Sequence, residues 1–274
     1  MNQLNIHERA RIISCLVEGC SMLAAGRLTG FSRKGVCRTM TEIAKVCTAY
    51  HDKTMRNLNC KIIQVDEVWS FTYCKNGNIT ESMKGMDGIG DTWTWLAIDA
   101  DTKLIPAWYV GDRSLASATN FLNDLQSRLA NRVQLTSDGY RPYPEAVEAA
   151  FGSEIDYAML IKLFGKQHGP LGHYSPPKCT GVRRRKIKGN PNGAHVSTSF
   201  AERQNLTLRM QNRRFTRLTN AFSKKLENHK CMMAIYVMHY NFCRIHQTLR
   251  VTPAMEAGVA DHVWSVEEIT GLPR

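Results

Sequence analysis

The spacing of apolar positions divides the chain into two regimes. From Asn5 to Val46 the period is helical: Ile6, Ile12, Ile13, Leu16 and Val17 share one face, Glu18-Gly19 closes it, and Ser21 can cap a short second helix, Met22 to Leu28. Thr29-Gly30-Phe31 reads as a tight turn. Ser32 then caps a third helix, Arg33 to Val46, with Val36, Met40, Ile43 and Ala44 inward and Arg33, Lys34 and Arg38 outward. Residues 47–60 read as a linker or continuing helix, after which the period becomes that of strands. Lys61 to Phe71 (KIIQVDEVWSF) is a buried strand interrupted by Asp66, Trp93 to Asp99 and Leu104 to Val110 form a hairpin, and Ser114 caps an amphipathic helix to about Leu129. Arg132 to Thr136 is a fourth strand, followed by Ser137-Asp138-Gly139 and a short helix ending near Phe151. Ile155 to Phe164 is a fifth. Gly165 to Ala194, rich in Gly, Pro, His and cations, predicts a flexible loop. Ser197 to Lys230 is helical again with a break near Thr219, a second helical stretch runs from about Lys224 to Ile245, and a last short helix spans about Trp264 to Ile269.

A small helical unit followed by the order β-β-β-α-β-α-β-α predicts an α/β fold. The expected form is a ribonuclease-H-like mixed five-stranded sheet flanked by helices, preceded by a small all-α helix-turn-helix domain. The expected boundaries are 1–48 for the helix-turn-helix domain, 49–60 for a linker, 61–258 for the α/β domain with a basic insertion at 165–197, and 259–274 for a C-terminal tail.

Charge changes the picture. The 36 Lys and Arg exceed the 24 Asp and Glu by 12, and this whole excess lies between Lys178 and Lys230, where fourteen cations face only Glu202 and Glu227. So concentrated a charge is the footprint of a polyanionic partner, and it favours DNA binding over a merely solvated bundle for the N-terminal helices. In the helix after Ser197, Glu202, Asn205, Arg209, Asn212, Arg213 and Thr216 recur at spacings of three and four, which suits a phosphate backbone, while Leu208, Phe215 and Leu218 form an apolar seam. Arg183, Arg184, Arg185 and Lys186 add a nucleic-acid-facing run. The nine cysteines are odd in number and lack any C-x-x-C, so they read as thiols in a reducing compartment. His239, Cys243 and His246 could share a helical face but lack a fourth ligand, which favours a structural role. With no leader peptide, membrane span or Gly-rich cofactor motif in the sequence, the expectation is a cytoplasmic, nucleoid-associated protein without membrane contact or organic cofactor.

Three acids hold the candidate chemistry. Asp66 is a charge inside an apolar strand, which is costly unless paired or bound to metal. Asp138 stands at the carboxyl end of a strand, where open sheets place ligands, although Asp-Gly is also ordinary turn chemistry. Glu202 follows Ser199 by three residues, a capping-box spacing, and locally that is its simplest role. The predicted element order brings all three together, and such a cluster is resolved by divalent cations, with oxygen ligands suiting Mg2+ or Mn2+. Glu154 and Asp156 are substitutes for the third position. Asp99 and Glu67 rival Asp66, but Asp99 sits on a hairpin shoulder and Glu67 should point to the other face of its strand.

With QVDEVWSF around Asp66, TSDGYRPYPEA around Asp138, AERQNLTLRMQNRRFTR after Glu202 and the closing YNFCRIHQTLRVTPAM, residues 60 to 258 resemble the DDE transposases of the insertion sequence one family. The resemblance implies catalysis by Asp66, Asp138 and Glu202 with bound Mg2+, and contact of Asn205, Arg209 and Arg213 with the element's end. It also implies cleavage to a 3′-hydroxyl and direct transesterification into target DNA. The implied partner is double-stranded DNA, as terminal repeats and target, bound by a homo-oligomer. This chain lacks the Cys-rich zinc module of some relatives, and its interval from Asp138 to Glu202 is long. A same-fold nuclease or integrase and a non-enzymatic helix-turn-helix regulator are the alternatives.

Overall fold

The computed structural model describes residues 4–165 and 178–273. Helices α1 (Ile6–Val17), α2 (Met22–Thr29) and α3 (Arg33–Thr54) open the chain. Each starts where a polar side chain satisfies a free backbone N–H: Asn5 in a reciprocal box with Glu8, Ser21 accepting from Ala24, Ser32 accepting from Gly35. Gly30 ends α2 at φ 81°, a left-handed conformation that a Cβ disfavours. α3 continues past Val46 through most of the segment read as a linker, because Cys47 and His51 prolong the buried face of Val36, Met40 and Ile43, which packs against α7 (Leu226–Met238).

The sheet comprises β1 (Ile62–Thr72), β2 (Gly90–Asp99), β3 (Trp108–Gly111), β4 (Val133–Ser137), β5 (Ile155–Phe164) and β6 (Cys179–Lys188), in the order β3-β2-β1-β4-β5-β6. β1, β2 and β3 are antiparallel neighbours, β4 and β5 run parallel to β1, and β6 is antiparallel to β5. This is the expected mixed α/β sheet, six-stranded rather than five-stranded. The extra strand corrects the expectation of a loop from Gly165 to Ala194. Residues 179–188 close the open edge of β5, where backbone pairing satisfies the N–H and C=O groups that face it, and Arg183, Arg184, Arg185 and Lys186 stay exposed, as charged residues commonly do on an edge strand. Residues 166–177 of the expected insertion lie outside the described residues.

Helices cover both faces. Ile63 and Val65 of β1 pack with Phe121 and Leu122 of α4 (Leu115–Arg128) and Tyr143 and Val147 of α5 (Tyr143–Phe151). Val68 and Leu96 pack on the other side with Leu208 of α6 (Ser199–Gln211) and with Tyr236 and Val237 of α7. α7 begins with a polar turn, Glu227 to Lys230, and is then apolar all round from Cys231 to Met238, where it is buried between α3 and the sheet. It runs into a π-helical turn, His239–Cys243, after which come α8 (Pro253–Glu256) and α9 (Val266–Gly271), the latter packed on α1.

The long basic helix is shorter than its pattern predicts. α6 ends at Gln211, where the buried Asn212 turns its side chain back to accept from the Arg214 N–H and opens a 3-10 turn, Arg213–Phe215. Arg213 and Thr216 therefore do not continue a helical face with Glu202. Leu218 is not part of the apolar seam either: Leu208 and Phe215 are buried, but Leu218 is 94% exposed with φ 57°. All nine cysteines are free thiols. Among the described residues, no helix is long and apolar enough to cross a membrane.

Candidate active site

Strand alternation sends Gln64 and Asp66 of β1 toward α6, and Val65 and Glu67 toward α5. Pairing between β1 and β4 stops at Gln64 opposite Thr136. Two residues further, the same register sets Asp66 level with Asp138, just beyond the end of β4. Oxygens of Asp66, Glu67 and Asp138 lie within 4.8 Å of one another there. Glu67 does leave the strand on the opposite face, as expected. Asp138 is past the strand end, however, and stands close to both.

α6 is fastened to this strand at two points. Its N-cap, Thr198, makes no side-chain cap bond; instead the Gln64 side-chain oxygen accepts from the N–H groups of Phe200 at 2.8 Å and Ala201 at 3.2 Å. One turn on, the Asn205 amide donates to Asp66 Oδ2 at 2.7 Å. The Ser199–Glu202 capping box is not formed, since Ser199 is already the first helical residue. The Glu202 carboxylate instead accepts from the Thr198 hydroxyl at 2.6 Å and pairs with Lys162 of β5 at 2.5 Å. Glu202 and Lys162 line, with Asp66, Asp138, Arg113 and Tyr140, an open cavity of about 880 Å³ at the end of β4.

The electrostatics are those of crowded anions. Burial, then the charges of Glu67 and Asp138, push the Asp66 carboxyl up to about 7. Asp138 is also raised, by burial first, against the opposing pull of the Tyr140 N–H that its Oδ1 accepts at 2.9 Å. Burial and Asp138 raise Glu67 too, but Arg113 grips its Oε1 with two N–H groups at 2.9 and 2.6 Å, and the Tyr143 hydroxyl donates to Oε2 at 3.0 Å. Arg113 is held in turn over the rings of Trp93 and Tyr140. Asp66 and Asp138 have no ion-pair partner among the described residues. Two largely desolvated carboxylates without an ion-pair partner among the described residues, beside a third, form an oxygen donor set that fits a hard divalent cation such as Mg2+ or Mn2+.

The other anticipated residues divide by exposure. Arg33, Lys34 and Arg38 are exposed at the start of α3, Arg38 lying 3.8 Å from Glu42. Arg183, Arg184, Arg185 and Lys186 are exposed on β6. Arg209 is partly buried near Arg217, and Arg213 lines a cleft with Leu16 and Arg33. Asn205, expected to face DNA, is buried and spends its amide on Asp66. The substitutes for the third acid are elsewhere: Asp156 pairs with Arg132 at the opposite end of β5, and Glu154 lies beside the same arginine. Asp99, the rival for the first position, is tied to Thr102 in its turn. His239, Cys243 and His246 form no metal-holding group among the described residues. Sequence reasoning missed Gln64, Arg113 and Lys162 and set Glu67 aside. Only the Asp66-Glu67 doublet inside an apolar strand signalled the last of these.

Fold and site together define an α/β protein with an acidic, cation-ready centre at the end of its central parallel strands. No protein-family model and no curated protein matches the chain. Among solved structures it is similar to a piggyBac transposase synaptic complex with hairpin DNA, at 10% identity over 98% of this chain and 70% of that one, with a TM-score of 0.41. It is also similar to a Mos1 strand transfer complex, 13% identical over 86% of this chain and 78% of that one, with a TM-score of 0.26. A Mos1 mariner paired-end complex with Mn is 14% identical over 54% of this chain and 58% of that one, with a TM-score of 0.20.

Proposed function

We propose that the chain is a metal-dependent DNA transposase that cuts at the ends of an insertion element and joins the freed 3′-hydroxyl to target DNA. The observation that carries this reading is the meeting of Asp66 and Asp138 at one level of neighbouring strands, both raised in pKa and neither ion-paired among the described residues, under a cavity whose rim includes Lys162, Arg113 and Arg141. Asp66 and Asp138 would hold Mg2+ or Mn2+, and Glu202, paired with Lys162 on the same cavity wall, would be the third ligand. When bound, the ion supplies charge neutralisation at the phosphodiester and a more acidic water or 3′-hydroxyl. The chain's own part is placement. Gln64 and Asn205 hold α6 and Asp66 in register, Arg113 fixes the position of Glu67, and the rim cations bind phosphate oxygens. Arg33, Lys34 and Arg38 on the helix-turn-helix unit, the β6 run and Arg209 carry the duplex, and pairing two DNA ends calls for more than one protomer.

The test uses a plasmid carrying the gene with its flanking DNA, incubated with Mg2+ or Mn2+. Asp66→Asn and Asp138→Asn should each lower cleavage and joining by at least about 100-fold while leaving affinity for the same DNA unchanged. Normal cleavage by Asp66→Asn refutes the reading. Cleavage without joining in the wild type points to a nuclease of the same fold, and binding without cleavage to a regulator.

A further inference from the structure

Beyond Asp66 the central strand has an open edge. β1 pairs with β2 along its length, but with β4 only as far as Gln64, and the next contact on that edge is a bridge from Thr72 to Ser223. From Asp66 to Phe71, roughly 17 Å of strand, this edge has no strand partner among the described residues. A cavity of about 700 Å³ lies along it, between Trp69 and Phe71 on one side and the irregular stretch after α6 on the other. Its rings are grouped: Trp69 and Phe71 have centroids 5.8 Å apart, and Phe222 stacks on Phe71 at 4.9 Å. The Lys75 ammonium sits over both β1 rings, at 5.7 and 5.9 Å. Arg217 is exposed on the far wall, and no acid among the described residues lines the cavity. Beside Arg217, Leu218 holds out an apolar side chain that is 94% exposed, on a backbone in the left-handed region that a leucine adopts only under strain.

Partly exposed rings, cations and no acids are the composition of a surface for single-stranded nucleic acid, where bases stack on rings and cations follow the backbone. A strained, fully exposed leucine is suited to wedge between base pairs and unstack them. Trp69 and Phe71 leave β1 on the face of Glu67, whose carboxylate stands within 4.8 Å of those of Asp66 and Asp138, so an unpaired strand lying along this edge leads toward the carboxylates. We propose that Leu218 opens the duplex and that the edge of β1 from Trp69 to Phe71, with Phe222, Lys75 and Arg217, holds the unpaired DNA strand next to the scissile phosphate. Stacking and opening stand on their own geometry; only the adjacency to cleavage rests on the proposed function.

The test is binding of the full chain, in EDTA, to oligo(dT) and to a duplex from the gene's flanking DNA containing 2-aminopurine. Trp69→Ala should weaken oligo(dT) binding by about five-fold or more, with Trp69→Phe restoring most of the loss. Trp69→Phe should also lose most of the tryptophan quenching that oligo(dT) causes in the wild type. Arg217→Ala should flatten the slope of log affinity against log salt by about 0.7. Leu218→Ala, at a site too exposed to matter for folding, should leave oligo(dT) affinity unchanged and abolish the rise in 2-aminopurine fluorescence. The proposal is overturned if Trp69→Ala binds oligo(dT) like the wild type, if quenching persists in Trp69→Phe, or if Leu218→Ala opens the duplex normally. These readouts need no metal. A chain that passes them but never cleaves DNA refutes the transposase reading alone, and one that cleaves but fails them refutes only this inference.

Discussion

Asp66→Asn should make the metal-free protein more stable, although it destroys the centre the fold is arranged to hold. Burial and the neighbouring carboxylates lift the wild-type group from 3.8 to about 7. Keeping it ionised at pH 8 therefore costs at most about 4 kcal/mol, at about 1.36 kcal/mol per tenfold change in proton affinity. An asparagine can still accept the Glu67 N–H that bonds Asp66 Oδ1 at 3.0 Å. On its other side the new amide meets Asn205, whose own side-chain oxygen is buried without a partner; rotating the Asn205 amide by half a turn supplies the acceptor. With imperfect geometry charged against the gain, the net is about 2 kcal/mol, or about 4 °C in melting temperature for a chain of this size. The sign follows from linkage. A carboxyl whose folded pKa is raised contributes stability below pH 3.8 and loses it as pH rises through 7, so the advantage of the variant is absent at pH 4 and full at pH 8. The assay is thermal melting from pH 4 to 8, first in EDTA and then with Mn2+ or Mg2+. Metal at 100 times its Kd should stabilise the wild type by about 2.7 kcal/mol and the variant far less. A variant that melts below the wild type at pH 8 in EDTA, a difference that does not change with pH, or equal stabilisation by metal refutes the account of the site.

Gln64→Ala should cost about 1–2 kcal/mol in chemical unfolding, because two N–H groups of α6 lose their shared acceptor, and should lower cleavage even at saturating metal. Asn205→Ala should raise the Mn2+ concentration needed for half-maximal cleavage by about ten-fold, since it removes the donor that orients Asp66; an unchanged metal requirement would show that Asp66 needs no such support. Glu202→Gln should leave metal-free melting unchanged and abolish cleavage, whereas cleavage at the wild-type rate would hand the third ligand position to Glu67. His51, His229 and His239 are buried as neutral rings, held down to about 4, about 3 and about 4 by burial and, in turn, by Arg128, Arg214 and Arg244. The unfolded chain takes up their protons first, so stability should fall as pH drops from about 6.5 to about 4, by at most about 3 kcal/mol for His51. Urea unfolding in the Asp66→Asn background isolates this trend from the acidic centre, and His51→Gln should flatten it.

Most of the element order was legible because caps and periodicity agree along the chain. Asn5, Ser21, Ser32 and Ser114 each start a helix, and the fifth strand has the predicted limits Ile155–Phe164. The failures share one cause. β6 is a strand because β5 offers it an edge, and α6 stops because Asn212 finds a buried turn; both are tertiary opportunities with no local signature. The site shows the same division. Asp66 and Asp138 could be picked out as acids at strand positions where charge is unusual, and the register brings them level. Glu67 was set aside on strand geometry that proved correct in direction, but alternation describes β1 alone, and Asp138 stands beyond the strand pairing, where both faces are within reach. Gln64 could not be seen at all, since an amide in a strand acquires meaning only from the helix end placed over it.

Gln64 also bears on timing. Its side chain joins the middle of the sheet to the first turn of α6, and Asn205 joins the two again one turn later, so helix and strand behave as a single solid piece. Neither can slide past the other without breaking three hydrogen bonds at once. On the proposed transposase reading, a reaction with successive cutting and joining steps is then carried forward by motion of the DNA past a stationary tool. The order of events would be set by which phosphate is presented, and the same fixed jaw would serve each stroke.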